Sequence, residues 1–421
     1  MAITWLRWRH MTTPLRCASL LLLAVAAAAG EALPQGWLPL ATVDRAPTWP
    51  EIRKTIKGPT LFMPENVPVV RGVFACYVFH GADPRDVARA WRFAMVLVPT
   101  DYEYDLGWHD KRNPRGQSGI PKGHMGNLLT YLDHAATELK RPELAKAPIV
   151  GWLGQNGAVM AGDLFKRAPD RLVAWSDAWY HGWAKYPEMI AQVPVASAWE
   201  FKKGERDSMQ AKSADAASPP TTMQLNATTY GFQHGIYSKF NFFMCFLDRA
   251  IRARVPATPP AAGQPVPLAK LDLSKGWAGD WAPVSTWNPM APFAEAKGYG
   301  GPVWMVDAYT AWMWRSYHSN GNDIALTSPA REFSRGNKDS GLGYGPSLSA
   351  ATPVTMAAET KGAYAAVEFR DGDVVLGTAK AAPYSISGVR LERGIRALFA
   401  VGIRADGTRA VSKPAIVAVL D

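Results

Sequence analysis

The chain has 421 residues, 48% hydrophobic and 19% charged, with a formal net charge of +10. This composition excludes a disordered chain, and the length allows two or three domains with well-buried cores. The basic excess is spread out with no dense Lys/Arg run, so it reads as a solvated surface and excludes nucleic acid as the expected partner.

At the N-terminus Arg7, Arg9 and Arg16 precede an apolar run, Leu20 to Ala29, in which Ala27 and Ala29 fit an A-x-A cleavage pattern. Residues 1–29 are therefore expected to be a signal peptide, making the protein secreted or periplasmic. The run falls short of the ~20 apolar residues that span a bilayer. No later segment reaches that length, so no integral membrane segment is expected after cleavage. Cleavage would leave +10 − 3 = +7 charges and two cysteines, Cys76 and Cys245, both in apolar surroundings. Neither has Cys-x-x-Cys spacing, and two buried free thiols are expected.

Residues 31–66, rich in Pro and Trp, are expected to wrap a surface. Val69 to Phe79 reads as a buried strand, and Asp83-Pro84 opens a helix that runs to Phe93, proline being tolerated in the first turn. Ala94 to Val98 is the next strand. Gly126 to Leu139 has helical spacing, with Leu128, Leu129, Leu132 and Ala136 on one face. Then come a strand at Ile149 to Leu153, a helix at Ala158 to Lys166, strands at Leu172 to Trp175 and Val193 to Trp199, and a long helix at Ser238 to Ala253. Short apolar strands alternating with helices predict an α/β domain: a mostly parallel sheet with helices on both faces.

Residues 256–270 are Pro- and Ala-rich and read as an extended surface segment, and residues 271–318 hold Trp277, Trp281, Trp287, Trp304, Trp312 and Trp314. From Asn320 onward Gly, Ser and Asn increase and strand signals dominate. Alternating strand pairs surround Asp371-Gly372 and Asp406-Gly407, a dipeptide suited to two-residue hairpin turns. They predict an all-β sandwich of about 100 residues. The expected layout is a signal peptide (1–29), an α/β domain (30–320) and a β-sandwich (321–421), the last serving as a spacer or adhesion module that can be deleted without unfolding the α/β domain.

Ala147 to Ala161 has the layout of a nucleophile elbow: apolar strand, tight Gly-bearing turn, small-residue helix start. Such an elbow reads G-x-S-x-G, with serine at the tip of the strand-to-helix turn. Here the tip is Leu153-Gly154-Gln155-Asn156-Gly157, and Gln155 stands where serine belongs. A carboxamide is not a nucleophile, and register slips of one or two residues offer only Gly154, Asn156 or Gly157. Ser176, after the next strand, is the alternative hydroxyl, without an elbow turn or a helix dipole.

Residues 68–255 resemble secreted bacterial α/β-hydrolases. The resemblance rests on Arg71-Gly72-Val73, His80-Gly81, the run Arg141 to Val150 that leads into the elbow, Ala168-Pro-Asp-Arg-Leu172, and Gln233-His234-Gly235. Residues 323–421 resemble bacterial Ig-like domains, on the run Val367 to Gly377 followed by Ala382-Pro383-Tyr384. The first resemblance implies the chain order nucleophile, acid, histidine. It assigns the histidine to His234 and the acid to Asp207, with Glu200 second. It also implies oxyanion donors at Asn156 and at His80-Gly81-Ala82.

The histidines His80, His109, His124, His134 and His181 lack H-x-H or H-E-x-x-H spacing, and no nucleotide-binding glycine motif is present, so neither metal nor cofactor is expected. Trp175, Trp179 and Trp183 follow one strand and are candidates for stacking on sugars or aromatic esters. Two functions follow. One is a hydrolase-superfamily member that has lost serine chemistry and binds a small-molecule or glycan-type ligand, or a partner. The other is an active esterase, acting on an ester or carbohydrate-linked ester, whose nucleophile lies outside the elbow. The sequence carries no sign of oligomeric state.

Overall fold

A computed structural model describes residues 60–77, 84–98, 124–153, 157–178, 186–199, 222–226, 235–280, 285–299, 302–319, 323–329 and 345–421. The expected signal peptide lies outside them. Among the described residues no helix is long and apolar enough to cross a membrane.

The first sheet is built from β1 (Thr60–Phe62), β2 (Val73–Tyr77), β3 (Ala94–Val98), β4 (Ile149–Leu153), β5 (Leu172–Ala178), β6 (Val195–Trp199) and β7 (Thr222–Asn226). Its order is β1-β3-β2-β4-β5-β6-β7. Among the described strands of this sheet only β1 runs antiparallel to its neighbour; the other pairs are parallel. Among the described residues the helices that connect or follow these strands are α1 (Pro84–Trp91), α2 (His124–Glu138), α3 (Gly157–Arg167), α4 (Pro187–Ile190) and α5 (Gly235–Arg254). The chain steps from β2 to β3 in one direction and from β3 to β4 in the other. Right-handed crossovers therefore put α1 on one face and α2 to α4 on the other. Short apolar strands form because both faces are covered: Val73 to Cys76 are buried without a break, as are Leu172 to Ser176. The expected elements appear within a few residues of their places. Missed were β1, in a segment expected only to wrap a surface, and β7, a short polar strand.

Next come β8 (Trp277–Asp280), β9 (Met290–Pro292) and β10 (Pro302–Met305), an antiparallel sheet ordered β10-β8-β9, and then α6 (Ala308–His318). Asp307 caps α6 by accepting from the Thr310 amide at 2.8 Å. The C-terminal strands are β11 (Ile324–Ser328), β12 (Gly345–Ser349), β13 (Val354–Thr360), β14 (Ala366–Asp371), β15 (Val374–Ala379), β16 (Tyr384–Val389), β17 (Gly394–Ile403), β18 (Arg409–Val411) and β19 (Ala415–Leu420). They form two facing sheets, β11-β13-β16 and β12-β19-β17-β14-β15, with β18 paired to β17. The region is strand-rich, consistent with a β-sandwich, beside a mixed α/β region with several sheets.

The hairpin expected around Asp371-Gly372 exists but turns one residue later. Asp371 pairs with Val374, which leaves Gly372 and Asp373 as the loop, with Gly372 at φ +58°. Asp371 is the last residue of β14 and is buried, because its carboxylate accepts from the Tyr309 hydroxyl.

The sandwich departs further from a spacer. β17 is buried on both faces. Leu398 and Ala400 enter the sandwich core, while Ile395 and Ala397 join the cluster that holds α1, α5 and α6. Ile416 and Ala418 of β19 face the same way. The outer face of an isolated sandwich meets water; here it is the floor under α5. That helix is accordingly apolar nearly all round, Phe242 to Leu247 being fully buried, as a helix covered on two sides must be.

Candidate functional site

Parallel strands deliver all their carboxyl ends to one edge of the sheet. β2 leaves that edge at Tyr77, three residues before His80, and β4 leaves it at Leu153, two residues before Gln155. β6 ends at Trp199, directly before Glu200, and α5 begins at Gly235, directly after His234. The strand order reverses between β2 and β4, and in open α/β sheets the crevice outside such a reversal is where ligands bind. Three residues separate β4 from α3, the spacing of a tight strand-to-helix turn. His80, Gly81, Ala82, Gln155, Asn156, Glu200, Asp207 and His234 themselves lie outside the described residues, as do Trp179 and Trp183.

Two other candidates are described, and the structure moves both away from this edge. Ser176 is fully buried, and its hydroxyl lies 3.5 Å from the Gly151 carbonyl, between strands rather than on a turn. It is enclosed by the sheet and is not an accessible nucleophile. Trp175 is also fully buried, its ring against Gly151; a Cβ at that glycine would lie 2.3 Å from the ring. It packs the interior and presents no stacking face. Cys76 and Cys245 are free thiols, and burial raises both above the ordinary value, which disfavours the reactive thiolate. Among the described residues no group of three or more His, Cys, Asp or Glu is placed to hold a metal ion.

The opposite, amino edge is closed by arginines that donate to backbone carbonyls. Arg171 reaches Ala147 and Leu144 at 2.8 and 3.1 Å, Arg254 reaches Leu172 at 2.9 Å, and Arg71 reaches Pro256 at 3.1 Å. Burial lowers all three guanidinium values, Arg254 to about 10. Part of the hydrolase resemblance, Ala168 to Leu172, thus has a structural explanation: Arg171 ties the turns before β4 and β5 together. An open cleft of about 550 Å³, lined by Asp133, Thr137, Lys140 and Lys146 among others, lies beside the entry to β4, away from the carboxyl edge.

The tryptophans after residue 271 mostly pack. Trp304 and Trp314 are buried. Trp287 and Trp312 are half-buried in an alternating stack on the sandwich: the Arg315 guanidinium lies 4.2 and 4.9 Å from their ring centres, and Arg370 lies 4.0 Å from Trp312.

No protein-family model matches the chain. No curated protein matches it. Among solved structures it is similar to a fibronectin(III)-like module of Clostridium thermocellum CbhA, at 23% identity over 23% of this chain and 94% of that one, with TM-score 0.19. It is also similar to a thermostable esterase, at 12% identity over 43% of this chain and 52% of that one, with TM-score 0.27. A Bacteroides uniformis beta-glucuronidase is similar at 11% identity over 69% of this chain and 43% of that one, with TM-score 0.16. The aligned part spans about half the length of the esterase.

Proposed function

We propose that the chain is an exported protein of α/β-hydrolase fold whose carboxyl-edge crevice binds a small-molecule or glycan-type ligand, or a partner, without serine-type hydrolysis. The strand order, with β1 alone antiparallel and the reversal between β2 and β4, supports the fold assignment. In this reading residues 1–29 are the signal, 30–320 carry the crevice and 321–421 the Ig-like sandwich. One feature supports the functional part: three residues, Gly154-Gln155-Asn156, link the end of β4 to the start of α3, and the sequence has a carboxamide where the elbow pattern has the hydroxyl that acyl transfer needs. His234 with Asp207, or Glu200 in its place, and backbone donors at Asn156 and His80 to Ala82 are the inherited remainder. The burial of Ser176 speaks against it as the alternative nucleophile.

A fluorophosphonate probe is the test. The purified protein is expected to stay unlabelled, whereas labelling at any serine would establish an active hydrolase and overturn the reading. Gln155→Ser is expected to give weak hydrolysis of activated esters. Failure to do so would mean that the acid, the histidine or the donors are also gone. For export, residues 1–29 fused to a reporter active only outside the cytoplasm should yield activity.

A further inference from the structure

Helix α5 is a partition with different neighbours on its two sides. Phe243 packs on Trp152 of the parallel sheet, with ring centres 5.0 Å apart. Two residues on, about 200° around the helix, the Cys245 thiol points the other way, 3.7 Å from the Ile395 carbonyl of β17. Three residues further along that side is Asp248, 3% exposed. One of its oxygens accepts from the Trp91 indole of α1 at 2.9 Å and from the Ile395 amide at 3.2 Å, and the other accepts from Arg252 at 2.6 Å. A single carboxylate therefore joins both helices to the sandwich. Arg393, at the entry to β17, completes the joint. It donates to the last carbonyls of α1, at Ala90 (3.0 Å) and Arg89, pairs with Asp421, and accepts from Arg252 at its own carbonyl.

We propose that Asp248 and Arg393 are positioning residues that seat α1 and α5 on the C-terminal sandwich, making the sandwich a fixed wall of the α/β layer and not an appended module. A buried carboxylate is costly unless every lone pair is used, and its best-attested benefit is a unique register between the parts it joins. Packing alone would let two apolar surfaces slide; three directed donors on Asp248 and two helix-end carbonyls on Arg393 fix one placement. α1 is eight residues long, about 12 Å, so its far end is held close to the carboxyl edge. That this end would border a ligand rests on the function proposed above; the joint itself does not.

Two of the chain's cysteines, Cys76 and Cys245, report on the two sides of the partition. Cys76 shares a strand face with Phe74, which packs on Trp91, and it is level with Trp152 across the sheet, so α1 and α5 cover it. Cys245 is covered by the sandwich. In the full chain, N-ethylmaleimide labelling resolved by peptide mass spectrometry should label both thiols slowly. In Asp248→Ala and, more mildly, Arg393→Ala, Cys245 should label at least about tenfold faster while Cys76 stays at its native rate, as a local opening requires. Asp248→Asn keeps an acceptor for Trp91 and Ile395 and should label close to the native rate. Unchanged Cys245 labelling in both alanine variants, or equal acceleration of the two cysteines, would overturn the proposal. Neither result depends on whether Gln155 marks a lost nucleophile, and the fluorophosphonate result leaves the joint untouched.

Discussion

Tyr309→Phe removes one oxygen from a buried contact between α6 and the sandwich, and its cost follows from the geometry. The side chain is 3% exposed, and Arg249 stacks 4.5 Å from its ring centre. The hydroxyl donates to the buried Asp371 carboxylate and accepts from the Ala397 amide at 2.8 Å. Phenylalanine keeps the ring and its packing but leaves the Ala397 amide without that acceptor and takes the phenolic donor from the carboxylate, whose other oxygen still faces Arg396 at 3.4 Å. Each buried group that loses its partner costs about 1–3 kcal/mol, so a loss of about 3 kcal/mol is expected, on the order of a hundredfold in the folding equilibrium. The pH dependence has a definite sign. Burial raises Asp371 above its ordinary value, so its contribution is full at low pH and is lost as pH rises through the raised value. Losing the phenolic donor raises that value further, and the gap between the two proteins should widen with rising pH. Urea unfolding of the full chain at several pH values measures this directly. A loss below about 1 kcal/mol, or a gap that narrows as pH rises, would refute the reasoning.

Two further outcomes are expected. Lys413 donates to the Tyr317 carbonyl at 2.9 Å, and burial pushes its ammonium down to about 7. A lysine depressed in the folded state contributes stability that is present above its unfolded value and lost as pH falls through the folded one. The native protein should therefore gain thermal stability relative to Lys413→Met between pH 7 and pH 10, where a flat difference would contradict the burial. Gly151→Ala places a methyl 2.3 Å from the Trp175 ring and should destabilise by about 1–3 kcal/mol in denaturant titration. The double variant with Trp175→Leu should recover part of that loss, and no recovery would place the strain elsewhere.

The parallel layer was legible because its strands are buried on both faces and so read as unbroken apolar runs between helical patterns. β7 was not, since Thr222-Met-Gln-Leu-Asn226 is short and polar and takes its strand character from pairing with β6. The docking of the sandwich had a signal that went unused. A strand with one wet face alternates, whereas Ile395, Ala397, Phe399 and Val401 are apolar on the face that should have been polar. The run Phe242 to Leu247, apolar all round α5, was the matching sign on the other side. Asp371-Gly372 misled because Asp-Gly is a common turn pair, and only the fold shows the aspartate answering to Tyr309. Of the site, the sequence supplied residue types in chain order, and the strand ends supply one shared edge for them. Ser176 and Trp175 show the limit of reading by proximity to a strand end. A residue inside a strand faces the interior whatever its chemistry, and neither a hydroxyl nor an indole in the sequence says which residues are still inside.

β19 lies between β12 and β17, so residues 415–420 fill the middle of their sheet and not a margin. A ribosome that has made everything up to residue 414 has produced helix α5 and most of the sandwich, yet neither can settle, because the piece that joins them is still to come. A protease that removes Ala415–Leu420 therefore takes out a central strand and leaves β12 and β17 without their shared partner. A nick within Ala415–Leu420 likewise opens that sheet at its centre and parts β12 from β17.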